Sequence, residues 1–138
     1  MELSNLNRVV TAGLVDVGAP KNLVARRSME EIDPHIAVVA LRGIGPQDEH
    51  PELNDVDLII GCVDYDGPRN RLNQIAIDTA TPYIDIATGI DTSLDPPAVG
   101  GRVVLVTPRG PCLHCHGELD AAEITRWAKH DDQRELDR

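Results

Sequence analysis

The stretch "DVDLIIGCVD", Asp55 to Asp64, constrains this chain more than any other part of it. Six apolar or small residues, Leu58 to Val63, stand in a row between acidic brackets, too few for a helix and rich in strand-forming side chains. A continuous run, rather than an alternating one, is the pattern of a strand buried on both faces, as in the middle of a parallel sheet. Composition points the same way. Aromatic residues make up 2% and Phe is absent, so the core must be built of Val, Ile, Leu and Ala. The expected class is α/β.

The rest of the chain supplies the partners such a strand needs. "PKNLVARRSMEEI" (20–32) spaces Leu23, Val24, Met29 and Ile32 helically behind a Pro at a helix start, and Asp33-Pro34 ends it. "HIAVVALR" (35–42) reads as a buried strand, followed by a polar loop and a short helix ending near Leu53. "GPRNRLNQIAIDTA" (67–80) is the next helix, with Leu72, Ile75, Ala76 and Thr79 on one face, and "PYIDIAT" and "RVVLVTP" are further strands. From Glu118 the pattern turns helical, with Trp127 as a packing residue, and ends in a charged tail over 130–138 expected to fray. The 138 residues suit one domain, 1–138.

A formal charge of −10 argues against nucleic acid and anionic membranes as partners, since nothing in the composition focuses the few cations. No apolar run reaches 18 residues and no export signal opens the chain, so the expected setting is the cytoplasm. Three cysteines then point to metal, redox chemistry or packing rather than a disulfide framework.

Ligands of open α/β sheets bind beyond the carboxyl ends of the strands, which singles out Asp64, directly after "LIIGCV". Its carboxylate suits a Mg²⁺ ion that bridges phosphates, or else it caps the helix begun by Gly67 and Pro68. Arg8 and Lys21 are the cations of the first 25 residues, candidates for phosphate contacts or for a solvated surface. "CLHCH", Cys112 to His116, places two thiols at the spacing that shares one tetrahedral Zn²⁺, with His114, His116, His130 or a second subunit completing the set. The same string also admits a haem attachment motif, a redox pair or a plain turn with reduced thiols. Cys62, inside the strand, reads as packing, and His35 and His50 as surface or capping groups.

"SNLNR" (4–8), "DVGAPK" (16–21), "IDP" (32–34), "DLIIGCVDYDGPRNRLNQIA" (57–76), "TPYIDIATG" and "PRGPCLHC" occur together in the order and at about the spacing of the ThiF/MoeB/HesA family, and the chain resembles that family from its first residues to about Cys115. The resemblance implies a Rossmann-like, mostly parallel sheet flanked by helices. It implies an ATP-dependent adenylyltransferase acting on the C-terminal Gly-Gly of a small ubiquitin-like or sulfur-carrier protein. On that likeness Arg8 and Asp64 are catalytic, Asn5, Arg8, Lys21 and Asp64 hold ATP and Mg²⁺, and Cys112 and Cys115 hold Zn²⁺. The family's opening strand, glycine-rich turn and helix, and its ribose-gripping acidic residue, precede the Asn-Leu-Asn-Arg motif, so this sequence is expected to lack those N-terminal strands. A homodimer or partner chain is the expected means of completing the site. Two other functions fit the same residues: a non-catalytic module that binds a carrier protein or partner subunit, and a small zinc-stabilised domain.

Overall fold

The computed structural model describes residues 1–41 and 43–136; from 130 onward only the backbone is described, helical to Leu136, so of the tail 130–138 expected to fray only 137–138 lie outside the described residues. The chain divides into two compact units, Met1–Gly43 and Ile44–Arg138, and each is described by itself.

In the first unit, short 3₁₀ turns at Leu3–Asn5 and Leu14–Asp16 lead to helix α1, Lys21–Ile32. Pro20 stands at the N-cap, where its fixed φ and missing N–H cost nothing, and α1 stops just before Asp33-Pro34, as the helical conformation is disfavoured before proline. The unit is tied together by a forked ion pair. Arg27 Nη1 and Nη2 donate to Asp16 Oδ1 and Oδ2 at 2.6 and 3.0 Å, and Gly13 N–H donates to Oδ2 at 2.8 Å. These bonds, those from Arg27 first, hold the Asp16 carboxyl down to about 2. "HIAVVALR" forms no strand among its described residues: 36–41 are irregular and Val39 is exposed. A strand needs a neighbour for its backbone groups, and the described residues of this unit contain none.

The second unit holds a three-stranded sheet in the order β1 (Ile59–Gly61), β2 (Tyr83–Asp91), β3 (Ala98–Val106). Helix α2, Asp66–Asp78, crosses between the first two strands, which is what lets them run parallel, with Ile59 opposite Tyr83 and Gly61 opposite Asp85. β2 and β3 pair antiparallel over nine positions, Tyr83↔Val106 to Asp91↔Ala98. The α/β class holds, and the sheet is mixed where a mostly parallel one was expected, because β3 returns through a hairpin rather than a crossover. Gly61 is required by contact: a side chain there would run into the ring of Tyr83.

One sheet face is packed. Ile59, Tyr83 and Val106 meet Leu72, Ile75 and Ala76 of α2 and Leu113 of helix α3 (Leu113–His116), all buried. Burying side chains of this size stabilises the unit by about 1.5–3 kcal/mol each. On the opposite face Ile60, Val103 and Leu105 are 58%, 70% and 57% exposed, so the continuous apolar run of β1 does not reflect burial on both sides here. Helix α4, Ala121–Leu136, lies against α2, its Trp127 occupying the space that a side chain at Gly67 would need. Asp120 starts α4 by accepting the Ala122 N–H at 2.7 Å, and its own N–H is held by Asp66 Oδ2 at 2.8 Å. Among the described residues no helix is long and apolar enough to cross a membrane.

Candidate functional site

The candidate site grows from one charged residue in the wrong place. Asp85 sits in β2 between Ile84 and Ile86, fully buried, and a carboxylate there must be paired. Its Oδ1 accepts Arg69 Nε–H at 2.9 Å and the Tyr83 hydroxyl at 2.8 Å, while Oδ2 faces Arg102 Nη2 at 3.6 Å. Arg69, on the first turns of α2, uses the rest of its fork on the loop after β1: Nη2 donates to the Val63 carbonyl at 2.7 Å and Nη1 to Asp66 Oδ1. Each of the three guanidinium nitrogens thus makes a hydrogen bond within the unit, using three of the five N–H donors. What it does is pin the β1–α2 loop at Val63 and Asp66, on either side of Asp64.

Asp64 itself is exposed and, among the described residues, its carboxylate takes no hydrogen bond. The capping alternative does not describe it, since Tyr65 is the N-cap of α2 and no side chain caps that end. Instead Asp64 lines a cavity of about 250 Å³ with Cys62, Arg69, Ala87 and Thr88, just past the carboxyl end of β1 and of the β2 residues that pair with it. Cys62 is exposed there and lies just past β1, which corrects its reading as core packing: alternation along the strand puts it on the exposed face with Ile60. The cavity is small beside the several hundred Å³ of a nucleotide pocket, and suits a hydrated cation with part of a phosphate chain. An exposed, uncommitted carboxylate is the donor type a Mg²⁺ ion takes, so the residues fit that group.

The other sequence candidates fall on the first unit. Arg8 and Lys21 are exposed, and Asn5 is buried, its backbone carbonyl accepting the N–H of Arg8 and of Val9 at 3.1 Å. Asn5 thus shapes the turn that presents Arg8.

The cysteine turn is docked on α2 by two asparagines one turn apart. Asn73 Oδ1 accepts Leu113 N–H at 3.0 Å, and His114 Nε2 meets Asn70 Oδ1 at 2.7 Å. Cys112 Sγ and Cys115 Sγ lie 3.6 Å apart, near the edge of about 3.8 Å that two 2.3 Å zinc–sulfur bonds at tetrahedral angle would span. The Cys115 backbone N–H holds the Cys112 thiol below its ordinary range, favouring the thiolate that binds metal. His114 is committed to Asn70, and no third His, Cys, Asp or Glu joins the pair among the described residues.

Two parallel strands joined by a crossover helix, with Asp64 at the end of the first on a loop that a buried arginine pins, make the unit a Rossmann-like α/β fragment. A profile of the ThiF family matches residues 1–135, and the chain belongs to that family. It is 34% identical over 126 residues to an uncharacterized protein of Mycobacterium tuberculosis, covering 90% of this chain and 17% of that one. It is 32% identical over 122 residues to the molybdopterin-synthase adenylyltransferase of Escherichia coli, covering 86% and 46%, and 24% identical over 117 residues to the vegetative HesA protein of Trichormus variabilis, covering 83% and 41%. The chain thus spans less than half the length of these relatives.

Two outcomes follow from the buried network. Arg69→Met should lower the urea unfolding free energy of the chain by about 3–5 kcal/mol, because it strands the Asp85 charge, whereas Asp64→Ala should change it by less than about 0.5 kcal/mol. Burial first, and then the bond to Asp85, push the Tyr83 hydroxyl well above its ordinary value. A group whose folded pKa is raised stabilises below its unfolded pKa, near 10, and that contribution is lost as pH rises. Stability should therefore fall steadily above about pH 10, and the fall should vanish in Tyr83→Phe, read by denaturant titration at each pH.

Proposed function

We propose that this chain is the catalytic segment of an ATP-dependent adenylyltransferase, activating the terminal glycine carboxylate of a small ubiquitin-like or sulfur-carrier protein. The observation that carries the reading is Asp64: exposed and unbonded among the described residues, at a parallel strand end, beside a loop held by Arg69. Family membership and the likeness to a molybdopterin-synthase adenylyltransferase support it.

In this reading the carrier's carboxylate oxygen attacks the α-phosphorus of ATP. An acyl–phosphate bond forms, the α–β phosphoanhydride breaks and pyrophosphate leaves. No covalent protein nucleophile is needed. The difficulty is electrostatic, an anion approaching a polyanion, so the contribution of the chain is placed positive charge. Arg8 and Lys21 bind the phosphates, Asn5 holds the turn that presents Arg8, and Asp64 holds Mg²⁺. The ion, when bound, neutralises phosphate charge. A homodimer or a partner chain completes the contacts to the phosphate chain and the ribose. Cys112 and Cys115 supply half of a zinc site completed in the same way. A reducing cytoplasmic setting suits both the thiols and the substrate.

Calorimetric titration with Mg-ATP tests the reading. Saturable binding should weaken at least tenfold in both Arg8→Ala and Asp64→Ala, and pyrophosphate exchange driven by a Gly-Gly carrier should fall by about 100-fold or more in Asp64→Ala. Carrier binding that survives both substitutions, with no ATP binding in the parent chain, would instead mark a non-catalytic carrier-binding module.

A further inference from the structure

The two thiols at the start of α3 are placed for chemistry with each other. Cys112 is the N-cap of α3 and Cys115 lies in its one turn, and their sulfurs stand 3.6 Å apart as free thiols. Cys115 is exposed and Cys112 half-buried, so reagents in solution reach the pair. A disulfide bond is about 2.05 Å long, so the sulfurs need approach by only about 1.5 Å, which rotation of two side chains supplies. The backbone between them is already held. Leu113 N–H is fixed by Asn73 Oδ1 at 3.0 Å, and Glu118 N–H closes back on the Leu113 carbonyl at 3.1 Å. Gly117, at a φ of 70° that suits glycine, ends the turn.

A metal asks for more than this turn offers by itself: among the described residues no third His, Cys, Asp or Glu joins the pair, and His114 is committed to Asn70. A reaction between two thiols asks for nothing further. N–H groups gather on the Cys112 sulfur, from the Cys115 backbone first, then the His114 backbone and the Asn73 side chain. The Asn73 amide nitrogen is buried and has no other partner, which leaves it free for that sulfur. Such donors favour the thiolate, the nucleophile of disulfide chemistry.

We propose that Cys112 and Cys115 form a thiol–disulfide exchange site that reacts with low-molecular-weight disulfides of the glutathione class. A thiolate of the pair attacks one sulfur of the small disulfide; a mixed disulfide forms, the original S–S bond breaks, and one small thiolate leaves and takes up a proton. The other cysteine gives its proton to solvent and attacks the protein sulfur of the mixed disulfide. The Cys112–Cys115 bond forms and the second small thiol leaves. Two electrons and two protons pass from the pair to the small disulfide, which departs as two thiols. The disulfide ties up both thiolates, so the oxidised pair holds no zinc. The site is separate from Asp64 and does not rest on the adenylyltransferase reading.

The test equilibrates the full, metal-free chain with mixtures of oxidised and reduced glutathione and reads intact mass and a peptide map. The pair should lose two hydrogens and map to a Cys112–Cys115 bond, with no lasting glutathione adduct, and dithiothreitol should reverse it. Cys62 serves as the internal reference, and the pair should convert with at least tenfold less oxidised glutathione than Cys62 needs to acquire an adduct. Cys112→Ser and Cys115→Ser should each hold one glutathione on the remaining thiol of the pair. The far-UV circular dichroism of the oxidised chain should match that of the reduced chain, since only side chains turn. Adducts that persist on the pair in the parent chain, Cys62 reacting first, or bonds that form between chains in place of within one would each overturn the proposal.

Discussion

The Arg69–Asp85 pair is the interaction on which the described part of the second unit depends. A carboxylate with no exposure in the second strand would be untenable alone, and Arg69 meets it from the first turns of α2 while reaching the Val63 carbonyl and Asp66. One guanidinium thereby fixes β2, α2 and the β1–α2 loop in a single arrangement. Asp66 extends the same network to the start of α4 through the Asp120 N–H. Replacing such a buried pair by apolar residues is often neutral for stability, so its use here is best read as specification: it sets where the loop carrying Asp64 lies.

That arrangement explains a division of labour that residue type alone would obscure. Arg69 lines the same cavity as Asp64, and each of its three nitrogens already makes a hydrogen bond that holds the unit together. Asp64 is the converse, exposed and uncommitted among the described residues. Structure holds the first and leaves the second open to the proposed Mg²⁺. The cysteine turn follows the same plan, with Asn70 and Asn73 of α2 holding the backbone and His114 while the two thiols are left facing each other.

Much of this was legible in the sequence where the signal is local. The apolar face of α2, the strand content around Ile59 and Tyr83, and the strand-end position of Asp64 follow from periodicity and from the rule for α/β sheets. Three things were not legible. "HIAVVALR" has strand composition, but pairing is a non-local property and no neighbour is available to it among the described residues of its unit. The mixed sheet depends on whether β3 returns by a hairpin or a crossover, which apolar pattern does not encode. The Asp85–Arg69 pair lies 16 residues apart on different elements; its one trace was an acid set inside "YIDIA", between apolar residues that a surface strand would not need.

The account stands or falls on Asp64 as the cation-holding group of a pinned loop. Paramagnetic Mn²⁺, substituting for Mg²⁺, titrated into the ¹⁵N-labelled chain tests this directly. The account predicts selective broadening of amides at Cys62 to Asp66 and at Ala87 and Thr88, abolished in Asp64→Asn with the rest of the spectrum unmoved. Broadening centred elsewhere, or unchanged in Asp64→Asn, would contradict it.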